Sequence, residues 1–205
     1  AQGPLPEALR AQIRGARAHG RFVPFYYTVP DGHNPAGFSF SQRRREEILA
    51  VVRDEGILIV EDAPYLYINY AAAHERAVPF VAMDPGQTVH LFTGSKIGFP
   101  GPRVAFLYSE AELAIAGGRS ASITELALTE ASADTLFHNP AALLGFEALL
   151  HDEAFAERPS LWPVAEGKLA VYRENRAIML QGLAEHLAAY PEPFHWTEPQ
   201  AGCVT

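Results

Sequence analysis

Lysine is nearly absent: Lys96 and Lys168 are the two in a chain of 205 residues, although lysine and arginine together number 16. A solvated surface ordinarily uses lysine freely, so arginine builds the basic surface here. Lys96, set among small residues in "FTGSKIGFPGPRVAF" at 92–106, therefore calls for its own explanation. Cysteine is scarcer still. Cys203 alone can make neither an internal disulfide nor a structural metal site, which fits a buried thiol in a reducing compartment and a cytoplasmic location. No run approaches the roughly 18 consecutive apolar residues of a membrane span, and no basic-then-apolar leader opens the chain. Excess positive charge is missing too. The formal net charge of −8 opposes nucleic acid, and the one basic run, Arg43, Arg44 and Arg45, reads as a solvated helix face.

What is present is enough apolar material, 48%, to bury a substantial core in one large domain or in a domain plus part of another. The chain starts inside a helical pattern without an initiator methionine and stops at Thr205 just after a turn, so a fragment of a longer protein is expected. From Leu5 to His19 apolar and small residues recur at helical spacing, with Gly20 placed to cap the end. "RFVPFYYTVP" at 21–30 follows as a buried strand. Ser41 to Asp54 predicts a second helix, with the serine as its cap and Ile48, Leu49, Val51 and Val52 on one side. "ILIV" at 57–60, "TVHLF" at 88–92 and "RVAFLY" at 103–108 read as further strands. Beyond Ser109 the pattern turns helical, over "SEAELAIAG" at 109–117, 123–133, "PAALLGFEALL" at 140–150, and Pro163 to Ala188. A linker and a last strand at the C-terminal end follow. The fold class is α/β, a mainly parallel sheet flanked by helices.

In such a sheet the functional polar groups gather at the carboxyl ends of the strands. Three ends carry suggestive residues: "VPDGHNPAG" after the first strand, "EDAPY" after the second and "TGSK" after the third. A lysine in an apolar, glycine-bounded loop has its charge disfavoured, and the neutral amine is the nucleophile a Schiff-base lysine needs. The ordinary alternative is a lysine that snorkels at a loop edge. Arg103, beside the hydroxyls of Thr93 and Ser95 and glycines 94, 98 and 101, could hold a phosphate or could pair with a carboxylate in a turn. Asp62 and Tyr65 could be an ion-pair partner and a packed aromatic. Asn34 sits in a proline–glycine turn, and His33 beside it reads as a turn histidine.

Asn34-Pro35-Ala36-Gly37, then Asp62 and Tyr65 starting 28 residues on, then Ser95-Lys96 with Arg103 seven residues beyond the lysine, resembles the signature of the class I/II aminotransferases. These are pyridoxal-phosphate enzymes of fold type I. The resemblance covers nearly the whole chain. It implies that residues 1–150 are part of the cofactor-binding large domain, and that 151–205 are a long connecting helix and the start of a smaller α/β C-terminal domain. It implies that Lys96 forms the internal aldimine with pyridoxal 5'-phosphate, that Asp62 pairs with the pyridine nitrogen, and that Tyr65 and Asn34 bond the phenolic oxygen. Thr93, Ser95 and Arg103 would hold the phosphate. Lys96, Asp62 and Tyr65 would then be catalytic, no metal would be involved, and the partners would be an amino acid, a 2-keto acid and a second copy in a homodimer. Thr93 stands where the family commonly has serine, and Pro102 where many members have leucine. The stacking ring and the substrate-carboxylate arginine of the family have no counterpart in this sequence. A lyase, cyclase or oxidase could use the same residues, and so could the cofactor-binding sensor domain of a transcription regulator. The segment "DTLFHNP" at 134–140, with His138, is expected to reach a neighbouring subunit's site.

Overall fold

The computed structural model describes residues 3–98, 100–101, 103–135, 139–187, 189–190, 192 and 194–202. Helix α1 spans Pro6–Ala18, with proline in its first turn, where a missing amide is harmless, and Gly20 beyond its end at φ 74°. Strand β1 is Phe25–Thr28. Helix α2, Gln42–Asp54, begins at Ser41, whose Oγ accepts the Arg44 amide at 3.3 Å. Strand β2 is Leu58–Asp62, a four-residue helix α3 covers Phe80–Met83, and β3 is Thr88–Thr93. With β4 at Ala105–Tyr108 the sheet runs β1-β2-β3-β4, its first three strands parallel and the last antiparallel.

The apolar side of α2 explains the first core. Ile48 and Val52 are fully buried against Ile57 and Ile59, with Ile13 of α1 and Phe80 of α3 in the same cluster. Each such side chain contributes about 1.5–3 kcal/mol on burial. Polar contacts fasten α1 across the end of α2, because Arg10, Arg14 and Arg17 all reach Glu55, at 3.1, 2.8 and 3.3 Å.

The segment 109–117 departs from its helical reading. It forms β5, Glu112–Ile115, in a hairpin with β6, Arg119–Ser122. Gly117 and Gly118 both take positive φ, 82° and 72°, so the turn chemistry of this pair overrides the helix formers before it. Helix α4, Ile123–Asp134, then starts from a capping box: Ser122 Oγ accepts the Glu125 amide at 3.1 Å and Glu125 accepts the Ser122 amide at 3.2 Å. Helix α5 is Pro140–Leu150 and α6 is Trp162–Leu187. A second core joins Ile97 and Val104 to Ala142, Phe146, Leu161 and Ala165, so the loop between β3 and β4 rests on α5 and the start of α6. Cys203, the expected C-terminal strand, Pro102 and His138 lie outside the described residues. Among the described residues no helix is long and apolar enough to cross a membrane.

Candidate active site at the strand ends

Because β1, β2 and β3 are parallel and adjacent, the three segments singled out in the sequence leave the sheet at one edge. After β1 the chain folds into a tight loop in which the His33 amide donates to Phe38 O at 2.8 Å and the Gly37 amide to His33 O at 2.6 Å. Asn34, joined to Pro35 by a cis bond, is exposed on this loop, and His33 stacks on Phe38 with centroids 4.8 Å apart. After β2, Ala63 donates to Leu91 O at 2.8 Å and Ile68 to Tyr65 O at 2.8 Å, a turn that buries Tyr65 to 6% exposure. After β3 comes the turn with Lys96, anchored by the buried Ile97 that follows it.

Lys96 Nζ lies 5.6 Å from the centre of the Tyr65 ring, so the lysine and the tyrosine are brought together. Asp62 is half-buried at the carboxyl end of β2, and its Oδ2 accepts the Tyr27 hydroxyl at 2.5 Å. That bond pushes the Tyr27 phenol up to about 12. Thr93 and Ser95 also meet: Thr93 Oγ1 donates to Val104 O at 2.8 Å, accepts the Ser95 amide at 3.2 Å and lies 3.0 Å from Ser95 Oγ. The threonine proton is thus committed to shaping the turn. Arg103 is exposed at φ 57°. Asn34 and Arg103 make no hydrogen bond to the other five residues among those described. Neither Lys96 nor Arg103 has a carboxylate in ion-pair range among the described residues, and Asp62 Oδ1 has no hydrogen-bond partner among them.

The opposite face of β2 is different in kind. Glu61, fully buried, accepts the Phe80 amide at 2.8 Å and the Val81 amide at 3.2 Å, meets His90 Nδ1 at 2.8 Å and lies 3.8 Å from Arg45 Nη1. Arg45 is itself fully buried and bonds Asp31 Oδ1 at 2.6 Å. Burial pushes the Asp31 carboxyl above its ordinary range, against the pull of Arg45. The expected solvated arginine face is therefore corrected: Arg43 is in solvent, but Arg45 turns inward, because residues three and four apart on a helix share a face and Arg45 falls with Ile48, Leu49 and Val52. The sequence reading missed this network and missed Tyr27. Arg45's place in the apolar stripe of α2 was a usable signal; for Tyr27 the signal lies in the pairing of β1 with β2.

The family model described as "Aminotransferase class I and II" matches residues 28–205. "Aromatic-amino-acid aminotransferase 1" of Thermococcus litoralis is 25% identical over 202 residues, 98% of this chain and 43% of that protein. "2-aminoadipate transaminase" of Thermus thermophilus is 27% identical over 206 residues, 98% of this chain and 45% of that one. Among solved structures, the multiple substrate aminotransferase of Thermococcus profundus superposes with a TM-score of 0.72 at 26% identity, over 98% of this chain and 45% of its own. The chain spans less than half the length of these relatives.

Proposed function

This chain belongs to the family of class I and II aminotransferases, and from that membership we propose that it is part of a pyridoxal-phosphate-dependent aminotransferase moving an amino group between an amino acid and a 2-keto acid. Residues 1–150 belong to its large domain, and 151–205 supply the connecting helix and the start of a small domain. The working form is a cytoplasmic homodimer. The observation that carries this reading is the edge where Asp62, Lys96 and Arg103 emerge without an ion-pair partner among the described residues, beside a tyrosine and hydroxyls.

The residues fit the cofactor. Asp62 keeps one oxygen for a cationic ring nitrogen, Arg103 and Ser95 are available to an anionic phosphate, and Gly94, Gly98 and Gly101 leave the backbone bare for close approach. When bound, pyridoxal phosphate supplies the electron sink that amino-group transfer requires. Asp62 would keep the ring nitrogen protonated, since a carboxylate in contact raises the pKa of a cationic acid. Tyr65 and Asn34 would donate to the phenolic oxygen. Lys96 Nζ would hold the cofactor covalently at rest. As a free amine it would take the substrate's α-proton as general base, and its ammonium form would be the acid that gives the proton back. The turn fixed by Thr93 presents the Ser95 hydroxyl and Lys96 at one place.

The test is borohydride trapping on the full-length protein incubated with pyridoxal phosphate, followed by peptide mapping. A pyridoxyl group on Lys96, together with amino-acid product that depends on an added 2-keto acid, is the expected result. Folded protein with an unmodified Lys96 overturns the cofactor reading. Ammonia release or oxygen consumption without a keto acid moves the reaction to a lyase or an oxidase, and cofactor on Lys96 with no turnover of any amino acid moves the chain to a sensor.

A further inference from the structure

We propose that Tyr27 is a positioning residue for the cofactor: its hydroxyl fixes Oδ2 of Asp62 and leaves Oδ1 for the pyridine nitrogen. The inference rests on the function proposed above and adds a residue to it. The contact follows from the sheet. Tyr27 is paired with Val60 across the parallel β1–β2 ladder, side chains alternate along a strand, and Asp62 two residues beyond Val60 therefore stands on the same face as Tyr27. A tyrosine ring reaches across that diagonal, and the hydroxyl meets the carboxylate at 2.5 Å.

Tyr27 is 52% exposed in this chain, and the partner of its hydroxyl is the half-buried carboxylate of Asp62. The phenol, raised to about 12 by the carboxylate it donates to, stays protonated across any working pH. It acts as a fixed donor rather than as a base. A carboxylate with both oxygens unbound would rotate about its Cβ–Cγ bond. Bound at Oδ2, it presents Oδ1 in one orientation, and orientation set in advance lowers the cost of binding.

The experiment compares wild type and Tyr27→Phe in the full-length protein, measuring the pyridoxal phosphate Kd, the visible circular dichroism per mole of bound cofactor, and Tm. The expected result is a Kd raised about fivefold, the factor that loss of one modest hydrogen bond gives. The visible dichroism of the bound cofactor falls, because the ring is held less uniquely, and Tm without cofactor stays within about 1 °C. Unchanged Kd and dichroism overturn the proposal. So does a raised Kd with unaltered dichroism and a lowered Tm, which assigns Tyr27 to the fold. Failure of the function itself is distinguishable, since wild type would then leave Lys96 unlabelled.

Discussion

Glu61 and Asp62 are consecutive carboxylates on one strand, and they face opposite worlds. Glu61 points to the helices, is fully buried, and is answered by two backbone amides, His90 and Arg45. Asp62 points to the other face, half-buried, with the Tyr27 hydroxyl on one oxygen. A carboxylate whose acceptors are all used holds structure together, and one left with a free oxygen at a strand end is equipped to meet a ligand. The comparison extends along both faces. Behind the sheet Arg45 is enclosed by its partners, whereas in front neither Lys96 nor Arg103 has a carboxylate in ion-pair range among the described residues.

The sharpest way to separate the faces is to remove a front-face charge and ask what is lost. Lys96→Ala in the full-length protein is expected to lower kcat by about 10⁴-fold, the upper end of what general acid–base groups contribute, with Tm in the absence of cofactor little changed. Steady-state kinetics with a 2-keto acid acceptor and a thermal melt check both halves. A melt collapsing with the activity would place Lys96 among the structural residues and break the division.

Arg45→Ala is the reverse case. It strips the partner from Asp31 and one from Glu61 inside the sheet–helix layer, and breaking a buried pair costs about 3–5 kcal/mol. Urea unfolding is expected to show that loss. If instead the variant unfolds like wild type, the back-face network is not what braces the strand ends. Asp62→Asn stands between these two: it keeps the shape and removes the charge, so kcat is expected to fall about 10²–10³-fold, the range seen when one electrostatic stabiliser is lost, while the urea midpoint holds.

How far this division was legible in the sequence follows from how local each signal is. The alternation of helices and strands and the seven residues at the strand ends could be read because apolar runs, a serine cap and proline–glycine turns announce themselves within a few positions. The hairpin at 112–122 escaped because "AELAIA" is made of good helix formers, and only the Gly117–Gly118 pair speaks against a helix. Tyr27 and Asp62 are 35 residues apart, and their contact depends on the register between two strands, which no local pattern encodes. Arg45 was misread for a different reason. Arginine on a helix is usually solvated, and what draws this one inward is Asp31 on the loop after β1 and Glu61 on β2, a convergence of three segments.

The smallest expected effect tests whether the back face can be loosened without disturbing the front. Ser41 caps α2 through the Arg44 amide, one residue before Arg45 itself. Replacing a serine cap by alanine removes the acceptor for an amide that then has no intrahelical partner, which costs about 1 kcal/mol. Ser41→Ala is therefore expected to lower stability by about that amount in urea unfolding, and Ser41→Asn, another good cap, to restore most of it. The first turn of α2 carries Arg45 but none of the residues proposed to touch the cofactor, so the pyridoxal phosphate Kd of Ser41→Ala is expected to stay within about twofold of wild type, a difference of about 0.4 kcal/mol. A larger change in Kd would mean that the position of Arg45 is transmitted through Glu61 to Asp62 along the strand, and the two faces of β2 would then have to be treated as one coupled unit.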